Sequence, residues 1–70
     1  MADERERLKV LLPHWMEHNA EHAEEFRRWA ERVRGVGGES AADRIMAAAQ
    51  AMEKAIAELE AALASLEGAG

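Results

Sequence analysis

The sequence has no cysteine and no tyrosine, one proline, one phenylalanine and two tryptophans. Without cysteine there is no disulfide, no thiolate metal site and no cysteine nucleophile. Ser40 stands where a helix cap is expected, and no glycine-rich loop leads into a helix with lysine, so the parts of hydrolase and transferase sites are missing and the chain reads as a non-enzyme. Positive charge is also short. Nine basic residues face fourteen acidic ones for a net charge of −5, and they form no uninterrupted stripe, which argues against a nucleic-acid partner. No apolar run approaches the ~20 residues that span a bilayer. The opening Met-Ala-Asp-Glu-Arg-Glu-Arg lacks the apolar stretch of a signal peptide, so a cytoplasmic protein is expected. Runs of β-branched and aromatic residues are nearly absent, which excludes a sheet.

What remains is rich in alanine, glutamate, leucine and arginine, the composition of helices. Seventy residues make one domain, 1–70, whose core is too small to be secure without a staple or a partner. In the second half Ser40 is the expected N-cap, Asp43 favours the free N–H groups of the first turn, and Gly68 follows the last apolar residue. A helix over about 41–67 is expected. Its core follows a heptad, with Ala49, Ile56 and Leu63 in one column and Ile45, Met52, Leu59 and Leu66 in the other. Ala48, Ala55 and Ala62 flank that seam and widen it to a bundle face.

Gly35, Gly37 and Gly38 place a turn over 35–39, short enough to make the two helices antiparallel neighbours. In the first half Pro13 cannot donate to the Lys9 carbonyl, so a kink or fresh start is expected there. The reading is a main helix over about 13–34 with a short helical or frayed lead-in over 3–11. Heptad spacing assigns Leu12, Trp15, Phe26, Trp29 and Val33 to the core, flanked by Met16, Ala23 and Ala30. The same register puts Asn19 and His22 inside, with His18 and Glu25 at the edge. Arg27, Arg28, Arg32 and Arg34 read as a solvated face near the helix C-terminus.

The polar middle of this helix is the candidate site. All three histidines, His14, His18 and His22, lie four residues apart, and positions i and i+4 share a helix face. Glu21 and Glu25 each follow a histidine by three, where a carboxylate can complete a coordination shell or orient an imidazole. The candidate metal ligands are therefore His18, His22, His14, Glu21 and Glu25. One hairpin supplies two or three ligands, and a two-fold pair supplies two His18/His22 sets. Imidazole and carboxylate without thiolate suit nickel, zinc, iron, cobalt or copper, and affinity alone does not choose between them. A second reading stays open beside this one. Buried His and Asn can satisfy each other or a facing carboxylate such as Glu60, and such polar layers fix register and oligomeric state. Exposed status is the default for His14, and tryptophans at helical spacing are more often core than ligand pocket.

The segment from Leu8 to Phe26, Leu-Lys-Val-Leu-Leu-Pro-His-Trp-Met-Glu-His-Asn-Ala-Glu-His-Ala-Glu-Glu-Phe, resembles a motif of small uncharacterised prokaryotic helical-hairpin domains, Leu-Leu-Pro-His-Trp-(Ile)-Glu-His-Asn-x-Glu-His-Ala-x-Glu-Phe. Some of those domains occur beside, or fused to, nickel-binding maturation proteins of the carbon monoxide dehydrogenase type. The resemblance covers the first helix well and the second only in its alanine and leucine character. It departs at Met16, where isoleucine is expected. It implies a role near nickel, with His14, His18 and His22 the matching residues and a metalloprotein maturation partner.

The expectation is an all-α antiparallel helical hairpin that assembles into a homodimeric four-helix bundle. Its expected role is to bind a divalent transition metal as a chaperone, store or sensor, with no nucleic acid and no membrane. The alternative is a structural or protein-interaction hairpin.

Overall fold

A computed structural model describes residues 2–68. The ends of the expected 1–70 domain, residue 1 and residues 69–70, lie outside the described residues. Two helices, α1 (Ala2–Arg34) and α2 (Glu39–Gly68), pack against each other as a hairpin, and no strand occurs among the described residues. The molecule is a rod of 53 × 15 × 13 Å. A 33-residue helix at 1.5 Å per residue is about 50 Å long, so each arm runs nearly the full length of the rod.

The turn is built by three glycines with different tasks. The Gly38 amide donates to the Val33 carbonyl at 2.8 Å and the Gly37 amide donates to the Arg34 carbonyl at 3.2 Å. These are the paired bonds of a Schellman motif, and they satisfy carbonyls that the end of α1 leaves free. Its penultimate position needs a left-handed residue, and Gly37 takes it at φ 89°. Gly38 then begins α2, its carbonyl accepting the first helical bond from the Ala42 amide at 2.8 Å. The N-cap is therefore Gly38 rather than Ser40, because the residue that closes one helix also opens the next. Ser40 lies in the first turn of α2, and Gly68, expected just past the helix end, is the last described residue of α2.

The first helix differs from the sequence expectation at Pro13. Instead of a kink or fresh start after a lead-in over 3–11, α1 is helical from Ala2 through Pro13 to Arg34. Pro13 is exposed while Leu12 beside it is buried, so the ring faces solvent and the anchored leucine holds the turn in helical register.

The seam between the helices is lined by alanine. The buried residues are Leu12, Ala23, Ala30, Ala42 and Ala49, and Ala30, Ala42 and Ala49 are 0% exposed. On α2 the expected heptad holds: Ala49 is buried, and Ile45, Met52, Ile56, Leu59, Leu63 and Leu66 are half-buried. On α1 one expected column holds, with Leu12 buried and Asn19, Phe26 and Val33 half-buried. The other column is corrected by one residue. Met16, Ala23 and Ala30 line the seam where Trp15, His22 and Trp29 were expected. Methyl side chains allow the close helix approach that indoles would prevent, so the tryptophans rotate outward and stay 41% and 51% exposed.

One side of the seam is closed by charge. Arg27 Nη2 donates to Glu53 Oε1 at 2.6 Å, Arg27 Nε to Glu53 Oε2 at 3.1 Å, and Arg27 Nη1 lies 3.2 Å from Met46 Sδ. Near the turn Arg34 Nη2 donates to Asp43 Oδ1 at 3.1 Å. The arginine run is thus not one solvated face: Arg27 and Arg34 cross to α2, Arg28 sits 3.6 Å from Glu24 on its own helix, and the Arg32 guanidinium lies 4.8 Å from the Trp29 ring centre.

Candidate functional site

The histidines lie midway along α1 on its outward flank. His22 comes three residues after Asn19 and one before Ala23, so it sits at the rim of the seam and is half-buried. His18 is one turn earlier and exposed. The helix brings their rings together at 4.6 Å between centres, nearly perpendicular at 89°, with His18 Nε2 only 3.1 Å from His22 Nε2.

That separation suits two kinds of bond. A neutral imidazole carries one N–H and one lone pair, so one ring can donate to the other. Two imidazoles bound to one ion at about 2.0–2.1 Å would hold their nitrogens about 2.9 Å apart at a right angle and about 3.4 Å apart at the tetrahedral angle. The observed 3.1 Å falls between these limits. On the other face of His22, Glu25 Oε1 lies 3.6 Å from Nδ1, just beyond hydrogen-bond distance. A small movement would let the carboxylate accept from Nδ1–H, the arrangement that leaves the Nε2 lone pair free for a hydrogen bond or a metal ion.

The remaining candidates divide. His14 stacks on His18 at 6.4 Å between ring centres and 17° between planes, too far to share its partner's ion without moving. Glu25 serves as the neighbour of Nδ1 and does not join the two nitrogens. Glu21 is exposed and forms no hydrogen bond or ion pair with a histidine among the described residues. Glu60, expected at the level of His18, is exposed. Phe26 closes the lower side, stacked on His22 at 6.0 Å and 28°. No group of three or more His, Asp or Glu side chains arranged to hold a metal ion occurs among the described residues. Among the described residues a single chain thus offers a converging pair of nitrogens and no third ligand beside them.

Two features of the site were not read from the sequence. Trp15 and Trp29 leave the seam and share one outward column with Leu8 and the half-buried His22, a position hidden by the one-residue ambiguity between two adjacent heptad columns. Arg27 acts as an interhelical bridge, and its signal was its place just beyond Phe26, matched by Glu53 just beyond Met52. No helix among the described residues is long and apolar enough to cross a membrane.

No curated protein and no solved structure matches the chain. A family model does match, over residues 8–66, a span that takes in most of both helices, the turn and all three histidines; the chain belongs to the family described as a domain of unknown function, DUF8180.

Proposed function

We propose that this chain is a small cytoplasmic transition-metal-binding hairpin, working as a homodimeric four-helix bundle in metal delivery, storage or sensing. The observation that carries the reading is the 3.1 Å approach of His18 Nε2 and His22 Nε2, with Glu25 beside the remote nitrogen of His22. Imidazole pairs of this kind take nickel, zinc, cobalt or copper, and affinity alone does not choose among them. Similarity to domains found with nickel-binding maturation proteins makes nickel the first ion to try and a metalloprotein maturation factor the first partner to test. The role proposed is binding rather than catalysis.

The same short contact favours one alternative. A His18–His22 hydrogen bond satisfies both rings without metal, and the domain would then be a structural or partner-binding hairpin whose polar layer fixes register. Calorimetric titration of tag-free protein with nickel and with zinc separates the two. Binding that is lost in both His18→Ala and His22→Ala supports the metal reading. Absence of binding by the wild-type chain with either ion sinks it and leaves the structural role.

A further inference from the structure

The two flanks of the hairpin are unlike. One is bridged by Arg27 and Glu53. On the other, three residues beyond Leu12, Asn19 and Phe26, stand Trp15, His22 and Trp29, with Leu8 continuing the column at the same spacing of seven. Beside it runs a second column of Leu11, His18, Glu25 and Arg32, all exposed. Alternate steps of three and four between two such columns make a helix-packing seam, and α1 therefore carries two of them. The first is filled by α2. The second has Leu8, Leu11, Trp15 and Trp29 between 36% and 51% exposed.

We propose that this second seam docks the antiparallel α1 of a second copy of the chain, with a two-fold axis at the level of Ala20. The inference rests on the dimeric metal-binding reading and adds its face, direction and register. The exposed area supports a partner of this size. The chain exposes 5198 Å², whereas a compact monomer of its mass exposes about 4,300 Å², an excess close to the ~800 Å² that each partner buries in an ordinary stable interface.

Self-pairing requires a face complementary to itself, and the order of residues about Ala20 provides that. Leu11 and Trp29 lie nine residues either side of Ala20, so each leucine meets the other copy's indole. Trp15 and Glu25 lie five either side, so the indole N–H meets a carboxylate. His18 and His22 lie two either side. A parallel pairing would instead set Glu25 against Glu25 and Arg32 against Arg32, which like charges oppose.

Chemistry at the axis is completed by the same operation. His18 and His22 are separated by about 6 Å of helix rise and their Nε2 atoms converge between them. Two copies bring four imidazole nitrogens toward one point, enough for a closed four-ligand site where one chain supplies two. The stoichiometry is one ion per two chains.

The test uses wild-type protein, mixed from isotope-labelled and unlabelled chains, with zinc as a diamagnetic probe. Cross-chain NMR contacts between the Leu11 methyls and the Trp29 ring are expected, and native mass spectra should show two chains with one zinc. Trp29→Glu should weaken dimerisation at least tenfold, while Val10→Glu, on an exposed residue outside both columns, leaves it unchanged. Cross-chain contacts without zinc uptake support the docking face and sink the metal reading. Zinc bound by a monomer, cross-chain contacts of Leu11 with Leu11, or the absence of cross-chain contacts at millimolar protein overturns the docking inference.

Discussion

The three turn glycines respond in opposite directions to the same substitution, and the geometry gives each sign. At Gly37 an added Cβ meets nothing within 4 Å, so crowding contributes nothing and the whole effect is the backbone at φ 89°. A left-handed L-residue costs about 1–2 kcal/mol, and alanine recovers part of that by restricting the unfolded chain. Gly37→Ala should therefore cost about 1 kcal/mol, and Gly37→Asn less, because asparagine tolerates this region. At Gly38 the added Cβ would stand 3.0 Å from Val33 Cγ1 and 3.1 Å from the Val33 carbonyl oxygen. The valine methyl can move, but the carbonyl accepts the Gly38 amide at 2.8 Å and is fixed by that bond. Gly38→Ala should cost about 1–3 kcal/mol, as overpacked sites do. At Gly35 the nearest atoms are 3.5 and 3.7 Å away and the amide is already helically bonded to Glu31, so Gly35→Ala should add about 0.5–1 kcal/mol. For a domain of this size each kcal/mol moves Tm by about 4–8 °C. Circular-dichroism melts at one fixed protein concentration should rank Gly35→Ala above wild type, and both above Gly37→Ala and Gly38→Ala. A Gly37→Ala chain as stable as wild type would refute the Schellman assignment of the turn.

Four shorter predictions follow from the same structure. Pro13→Ala restores a donor to the Lys9 carbonyl on an exposed surface of α1 and should stabilise the fold by about 1–3 kcal/mol in thermal or urea melts. Ala30→Leu forces three additional heavy atoms into a site that is 0% exposed, and should lower stability by about 1–3 kcal/mol on the same assay. Arg27→Ala breaks a bridge whose two side chains are 41% and 49% exposed, so the loss should stay below about 1 kcal/mol and shrink further in high salt. Nickel or zinc uptake should weaken as the solution is acidified, because protons compete for the Nε2 lone pairs of His18 and His22. Calorimetry across a pH series should show that sign, and affinity rising on acidification would exclude imidazole ligation.

Much of the fold was legible because its determinants are local. Three closely spaced glycines announced the turn, and the heptad of α2, from Ile45 to Leu66, named the residues that face α1. The failures share one cause, which is that a sequence pattern ranks residues by apolarity while packing ranks them by shape. Trp15 and Trp29 outscore Met16 and Ala30 as hydrophobes, and so drew the expected seam one residue toward themselves. The helices instead meet over Ala23, Ala30, Ala42 and Ala49, where there is no room for an indole. Pro13 misled in the same way. Its intrinsic cost is real, yet the buried Leu12 beside it holds the helix together through tertiary contact. At the candidate site the four-residue spacing was enough to foresee that His18 and His22 meet. Spacing could not show that Glu25 would approach Nδ1, or that Glu21 would make no contact with the histidines.

An alanine seam explains why the bulky residues of α1 matter to stability as well as to surface chemistry. Alanine removes little area from water, so burying Ala23, Ala30, Ala42 and Ala49 contributes less than the same count of leucines would. A further apolar reserve is on the outside. A tryptophan carries about 200 Å² of side-chain surface, and Trp15 and Trp29 each leave roughly half of it in water. Covering that half on both residues removes about 200 Å² per chain, worth about 5 kcal/mol at 25 cal/mol per Å². The gain is comparable to the whole stability that a core of this size supplies unaided, about 3–5 kcal/mol. The arrangement that keeps the helices close therefore leaves a sizeable apolar area of Trp15 and Trp29 in water, on the same flank of α1 as the His18–His22 pair.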